Sequence, residues 1–582
     1  MHKSCSRPAR RRVVKITEAS EALIGNDPSR LTLGRFLNDV TAAYAGREAV
    51  VFDGQRLGYA DIRSETIEIA RALVGAGVVK GTRVALLMPN RPEWITAAFA
   101  VGTIGGVVVP VSTLATPAER AHVLRHSDAA FLLVQPSLLS RDYLDELTDR
   151  HPEIGTSVPG RIRCPALPQL RQVFALHGPG RGAIQSWDAL RALGRDVPRE
   201  LIDELADEVE PMDDAFVIYT SGSTALPKGV IHRHRAAVTQ FWRFKEQFRL
   251  DADERVYSAQ PFFWTAGISM TLGCTFASGG TLLLQQVFEP GGALELIESE
   301  GATVAFAWAH QSHALAEHPS AKGRDLSSLR KVSSDSPLGR LAGADGNAWG
   351  PGASFGLTET FTICSSIPSD SDLDLRSSTH GRTLPGMEIR IVDPESGAVL
   401  PDGEPGEIEV RGITLMRGYH KVDTEAVLGS DGYFATNDGG HFDDKGYLHW
   451  TGRLGDLIKT GGANVSPGEI ERLLDTRADL HTARAVGVAH PTLGEIVVVC
   501  AVPAPDANPS EADLRRFLKG HLSAYKLPRR TLFLTEAELN LTANNKIRLE
   551  PLRKLALEKL EAEGAEIAGH RYHAHLEDTG RA

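Results

Sequence analysis

Apolar positions along the chain recur with two periods, and the alternation between them sketches the architecture. From about Leu31 to Val134, Ile62, Ile69, Leu73 and Ala76 share one helical face, Gly77 and Gly81 punctuate, and Val84 to Met88 reads as a buried strand ended by Pro89. Trp94 to Ile104 and Pro117 to Ser127 read as helices, and Val107 to Val111 and Ala130 to Val134 as strands. Repeated strand–helix–strand units predict a largely parallel sheet covered on both faces. Pro152 to Pro211, rich in Pro, Gly, Arg and Leu, reads as a surface excursion. A second alternating run follows, with candidate strands Ala215 to Tyr219, Arg255 to Ser258, Gly280 to Gln285 and Thr303 to Ala307. Between Gly386 and Gly412 the rhythm shifts to short strands with tight turns, predicting a small antiparallel barrel-like subdomain or sheet. After Arg453 comes a compact α+β segment: helix Ser466 to Leu474, strands Ala483 to Val488 and Ile496 to Val502, helix Glu511 to Leu518, and a last helix from Leu552. The fold class is therefore α/β, a large N-terminal domain of layered, mostly parallel sheets followed by a small C-terminal domain.

Composition narrows the function. The 582 residues are 42% hydrophobic and 24% charged, ordinary for a globular chain. The net charge of −11, from 63 Lys and Arg against 74 Asp and Glu, argues against a dedicated nucleic-acid binder. Five scattered cysteines without a CxxC pair suggest neither a zinc site nor a disulfide framework, which fits a reducing, cytoplasmic setting. Residues 1–30 read as a basic extension lacking the apolar core of a secretory signal. Trp94 to Pro117 carries no charge and is long enough to span a bilayer, but its three glycines and two prolines split it into core helix and strand, so no transmembrane segment is expected. A homo-oligomer stays open.

Candidate chemistry concentrates in a few motifs. Tyr219-Thr-Ser-Gly-Ser-Thr-Ala-Leu-Pro-Lys-Gly-Val230 is a strand opening into a loop of hydroxyls and glycine closed by Lys228, suited to wrapping N–H and hydroxyl donors around polyphosphate. It lacks the Walker A spacing. Ser354-Phe-Gly-Leu-Thr-Glu-Thr360 joins an aromatic for base stacking, a glycine for close approach, a hydroxyl, and a carboxylate as a hard ligand for Mg²⁺.

In order and spacing these motifs resemble the AMP-forming acyl-CoA synthetases, the adenylate-forming enzymes, and fatty-acid–CoA ligases among them, over nearly the whole chain. The resemblance implies an adenylation domain over 31–453 and a C-terminal domain over 454–582, mobile about a hinge near Gly455. Thr220, Ser221, Gly222, Ser223, Thr224 and Lys228 match the phosphate loop, with Ala225 where glycine is usual and Thr224 expected to act in catalysis and on the metal. Phe355, Gly356 and Thr358 would contact nucleotide, and Glu359 would hold Mg²⁺. Ser334, Asp335 and Ser336 stand where Gly-Gly-Ala usually lies beside adenine. Pro261 to Gly267 matches an aromatic segment between nucleotide and acid, and makes Trp264 and Gly267 candidates for the acyl pocket. No acidic residue stands there to hold an ammonium, which argues against an amino acid substrate. Asp438, in Thr436-Asn-Asp438, would accept the ribose hydroxyls, with Asn437 at a turn position where glycine is usual, and Arg453 would contact ribose or phosphate. Lys459, Gly461, Gly462 and Asn464 match a hairpin expected to line a thiol tunnel. Lys546, within Leu539 to Arg548 where Asn545 replaces glycine, aligns with the lysine of the adenylation step. The tail His570-Arg-Tyr-His573-Ala-His575 reads as solvated.

The implied reaction uses ATP, Mg²⁺ and coenzyme A. A lipophilic carboxylate attacks the α-phosphorus of ATP, pyrophosphate leaves, and the thiol then displaces AMP to give the thioester. Rotation about Gly455 would exchange Lys546 for the Lys459 hairpin between the steps. The alternatives are transfer of the acyl group to a carrier protein or an amine, and a non-catalytic nucleotide-binding relative.

Overall fold

A computed structural model describes residues 30–178, 180–220, 227–346, 348–454, 458–460, 463–465, 467–522, 526–539 and 549–573. The chain divides into two compact units, one comprising residues up to Ile389 together with Val410–Phe434, the other Arg390–Glu409 together with residues from Ala435 onward.

The first unit is built on two sheets. In the larger, eight strands run in the order Gly418–Tyr419, Lys228–Arg233, Asp214–Thr220, Val107–Pro110, Arg83–Leu87, Phe131–Val134, Gln172–Ala175 and Ile184–Ser186. The six strands from Asp214–Thr220 onward are mutually parallel, and the first two join antiparallel at the edge. Continuous runs such as Val107-Val-Val-Pro110 are buried along their length, as a sheet covered on both faces demands. The smaller sheet has five strands, with Arg255–Ser258 and Thr281–Leu284 at its centre. The α/β expectation is borne out, and the helix Pro92–Thr103 falls where the uncharged stretch begins. No helix among the described residues is long and apolar enough to cross a membrane.

Two readings change. Pro152 to Pro211 is not an excursion: Gln172–Ala175 and Ile184–Ser186 extend the large sheet, and Val173, Phe174 and Ala175 have no exposed surface. The apolar run is too short to stand out among its Pro and Gly neighbours. The barrel-like subdomain is an open four-stranded sheet, Met387–Val392, Gly406–Gly412, Phe434–Phe442 and Leu448–Arg453 in that order. Four strands are too few to close around a packed interior.

In the second unit the long hairpin Leu480–His490 with Gly494–Pro503 carries Arg530–Phe533 in parallel on its outer edge. The helices Pro467–Leu474, Glu511–Lys519 and Leu549–Glu563 bury apolar side chains in this unit's core. The described part of the histidine tail is only partly solvated: Arg571 and His573 are exposed, but the stretch is anchored. His570–Arg571 pairs with Glu566–Ile567, and Tyr572, 3% exposed, donates its hydroxyl proton to the Ala489 carbonyl at 3.1 Å. One aromatic anchor thus overrides the polar composition around it. His575 lies outside the described residues.

A buried histidine links this fold to pH. His234, fully buried at the start of the helix His234–Phe248, accepts the Leu33 N–H at Nδ1 (3.2 Å), and burial pushes its pKa from 6.5 down to about 4. The unfolded chain binds a proton that the folded chain refuses, so the stability present above pH 6.5 is lost as pH falls toward 4. His234→Asn, which keeps an acceptor near Nδ1 but does not titrate, is expected to flatten that part of the melting temperature against pH curve.

Candidate active site

The phosphate-loop motif sits on the edge hairpin of the large sheet. Thr220 ends one strand, Lys228 begins the next, and the two are directly paired. Ser221, Gly222, Ser223, Thr224 and Ala225 lie outside the described residues. Helix Pro117–His126 braces the hairpin. A His122 ring nitrogen lies 3.2 Å from the Pro227 carbonyl, and His126 Nδ1 lies 2.9 Å from the Tyr219 hydroxyl. Burial and the neighbouring His122 push His126 down to about 4, so it is neutral near pH 7 and its Nδ1 can accept the phenol proton.

Lys228 and Glu359 are joined through a residue that the motifs did not single out. The Tyr419 hydroxyl donates to Glu359 Oε1 at 2.7 Å, and Lys228 Nζ lies 5.2 Å from the centre of the Tyr419 ring. Tyr419 belongs to a two-residue edge strand, so neither periodicity nor spacing marks it. Glu359 lies in a single turn, Thr358–Thr360, followed by Phe361 at φ 49° and Thr362 at φ 103°. Positive φ at a β-branched residue costs on the order of 1–3 kcal/mol and persists only where the surroundings hold it. They do so densely. Fully buried His232 donates from Nε2 to the Thr358 carbonyl at 2.7 Å, and Gln240 donates to the carbonyls of Thr360 (3.0 Å) and Ile363 (2.7 Å). Burial pushes the His232 imidazole down to about 3, so it is neutral.

Gly356 explains the glycine of this motif. A Cβ there would stand 2.0 Å from the Thr362 carbonyl oxygen and 2.4 Å from the Ile363 Cα, both backbone atoms. Gly356→Ala is therefore expected to cost about 3 kcal/mol and to displace the turn that carries Glu359. A chemical denaturation series against wild type checks the stability loss.

On the acid side, Trp264 is half-buried and stacks on Trp308 with ring centres 5.1 Å apart and planes at 17°, while Phe262 and Phe263 are core residues. Trp308, 38% exposed, is a second aromatic that sequence reasoning missed. Gly267 opens a π-helical segment, Gly267–Gly273, and is packed so tightly that a Cβ would lie 2.0 Å from the Pro261 carbonyl oxygen. Buried Asn90 fixes this segment from a loop far away in sequence: its side chain donates to the Gln260 carbonyl (2.8 Å) and accepts the Phe262 N–H (2.9 Å).

Ser336 caps the helix Pro337–Ala342, accepting the Gly339 N–H at 3.0 Å and donating to the Ser333 carbonyl at 2.6 Å. Ser333 donates to Asp335, which is exposed, and Ser334 is half-buried. The side chains that replace Gly-Gly-Ala are thus partly spent on local structure.

The second unit places Asp438 and Arg453 opposite one another in an antiparallel pair, with Arg453 Nε 3.3 Å from Asp438 Oδ1. Asp438, 3% exposed, also accepts the Trp450 indole N–H at 3.0 Å. Asn437, which precedes it, sits at φ 56°, the left-handed region that asparagine tolerates. Lys459 and Asn464 are paired along the backbone of a short hairpin, Ile458–Thr460 with Ala463–Val465. Gly455, Gly461, Gly462, Asn545 and Lys546 lie outside the described residues.

Among the described residues no group of three or more His, Cys, Asp or Glu side chains converges to hold a metal ion. Glu359 offers a hard carboxylate, which fits Mg²⁺ brought in on phosphates rather than caged by protein.

Comparison with known proteins finds relatives over most of the chain. The model of the AMP-binding enzymes matches residues 37–420, and that of the AMP-binding enzyme C-terminal domain matches 469–546. An indoleacetate–CoA ligase of Aromatoleum aromaticum is 29% identical over 518 residues, covering 88% of this chain and 96% of its own. Among solved structures, the anthranilate CoA ligase AuaEII in complex with anthranoyl-AMP is similar with a TM-score of 0.75 and 25% identity, over 90% of this chain and 98% of its own. The amide bond synthetase McbA of Marinactinospora thermotolerans has a TM-score of 0.71 and 28% identity, over 90% and 99%.

Proposed function

Since the chain belongs to the AMP-binding enzyme family and is an AMP-forming acid–CoA ligase, we propose that the acid it activates is lipophilic. The ligase uses ATP with Mg²⁺ to form an acyl-adenylate and coenzyme A to convert it to the thioester. The observation that supports a lipophilic acid is the stacked pair Trp264–Trp308, in which Trp264 comes from a segment whose other aromatics, Phe262 and Phe263, are core residues. Such a surface gains by covering apolar area and offers no charge to hold an ammonium.

In this reading, Thr220, Ser221, Gly222, Ser223, Thr224 and Lys228 hold the phosphates, Thr358 turns its hydroxyl to phosphate, and Glu359, with Thr224, holds Mg²⁺. Phe355 and Gly356 contact the nucleotide, with Ser334, Asp335 and Ser336 beside adenine. Asp438, already fixed by Trp450 and Arg453, accepts the ribose hydroxyls. Two anions must approach one another in the first step, so positive charge at the transferring phosphoryl group is the principal catalytic need. Lys546 supplies it. The hairpin carrying Lys459, Gly461, Gly462 and Asn464 serves the thiol step, with Gly455 as the hinge.

A panel of fatty, aryl and amino acids scored by pyrophosphate release tests the acid class. Turnover confined to amino acids would refute the proposal. Likeness to an amide bond synthetase supports a second reading in which an amine takes the acyl group. Mass spectrometry of the products formed with coenzyme A and with amines in its place decides between the acceptors.

A further inference from the structure

We propose that His232 is a positioning residue for nucleotide binding: from the strand that leaves the phosphate loop, its Nε2–H fixes the Thr358 carbonyl and thereby the carboxylate of Glu359. The inference rests on the reading of Glu359 as the residue that meets Mg·ATP.

His232 lies four residues beyond Lys228, in a strand whose other interior positions, Val230 and Ile231, are apolar. A histidine with no exposed surface is an expensive occupant of such a position unless it performs a task that an apolar residue cannot. Its hydrogen-bond partner is the Thr358 carbonyl, 126 residues away in sequence and 2.7 Å away in space. A carbonyl only accepts, so Nε2 carries the proton. Nδ1 has no partner among the described residues. The ring meets Phe361 edge-on, with centres 4.8 Å apart. The imidazole therefore grips both ends of one turn, the carbonyl that precedes Glu359 and the ring that follows Thr360.

That turn needs the grip. Phe361 and Thr362 both hold positive φ, and the side chains that restrain them come from several elements. Gln240 ties the carbonyls of Thr360 and Ile363. Ser269 donates to the Thr265 carbonyl and so accepts from the Thr362 hydroxyl at 2.7 Å, reaching the turn from the aromatic segment. Of these restraints, His232 alone belongs to the strand that Lys228 begins. His232 thus ties the phosphate-loop strand directly to the Glu359 turn, beside the backbone bridge in which Arg417 N–H reaches the Ile231 carbonyl (2.8 Å) and Met416 N–H the Glu359 carbonyl (2.7 Å).

The test compares His232→Leu, which keeps apolar volume but removes the donor, with His232→Gln, whose amide can present an N–H near the Nε2 position, and with Glu359→Gln. Affinity for the magnesium complex of α,β-methylene-ATP is measured by calorimetry in the full chain, alongside the melting temperature and the KM for Mg·ATP against kcat. His232→Leu is expected to weaken analogue binding about tenfold, with His232→Gln recovering most of it. The proposal is overturned if His232→Leu lowers the melting temperature but leaves analogue affinity unchanged, or if His232→Gln is as impaired as His232→Leu. If Glu359→Gln leaves analogue affinity and its Mg²⁺ dependence unchanged, the Glu359 reading fails and this proposal falls with it. A shift in Glu359→Gln without one in His232→Leu removes only His232.

Discussion

Lys546→Ala is expected to lower pyrophosphate release from acid plus ATP by about 10³-fold or more, while thioester formation from a pre-made acyl-adenylate and coenzyme A stays close to wild type. The asymmetry follows from charge. In the first half-reaction a carboxylate approaches a polyphosphate, and a cation placed where charge develops lowers that barrier directly. In the second, the carbonyl is already activated, AMP is a good leaving group, and the thiol brings no second polyanion. Half-reaction kinetics under single-turnover conditions separate the two. Equal losses in both would remove Lys546 from this role and point to a structural part for the C-terminal segment.

The second large effect is expected at Glu359. Glu359→Gln keeps the shape and an oxygen for the Tyr419 hydroxyl (2.7 Å in the native site) but removes the charge that a divalent cation requires. Adenylation is expected to fall by about 10²–10³-fold, partly recovered by raising Mg²⁺. A Mg²⁺ titration of pyrophosphate release checks this: an unchanged midpoint would mean that the metal is held elsewhere. Tyr419→Phe offers a graded control, because it leaves the carboxylate charged and removes one neutral hydrogen bond, typically worth about 1 kcal/mol.

Much of the fold was legible because it rests on local pattern. The buried runs from Val84 and Val107, the helix near Trp94 and the C-terminal hairpin strands lie within a few residues of where periodicity puts them. Positions governed by long-range contact were not legible. Gln172–Ala175 has too few residues to announce itself, and only its place in the sheet makes it a strand. Tyr572 looks like part of a polar tail until Ala489 is seen to accept its hydroxyl. At the site, motifs flagged Lys228, Glu359, Asp438 and Arg453, and the structure brings them together in two pairs, the first through Tyr419 and the second directly. Tyr419, Trp308, Asn90 and His232 were missed for a common reason. Each is an ordinary residue in an ordinary local setting, and its importance arises from a partner far away in sequence.

This chain forms a mixed anhydride between an acid and AMP and resolves it onto coenzyme A, a course that isotope transfer can follow. An acid accepted in the panel, labelled with ¹⁸O in both carboxylate oxygens, is incubated with ATP, Mg²⁺ and coenzyme A, and the products are weighed by mass spectrometry. The carboxylate oxygen that attacks phosphorus stays with the nucleotide when the thiol breaks the C–O bond. AMP carrying one ¹⁸O and an acyl-CoA retaining the other are therefore expected. Unlabelled AMP, or ADP in its place, would contradict adenylation, and labelled acyl-adenylate accumulating without thioester would contradict coenzyme A as the acceptor.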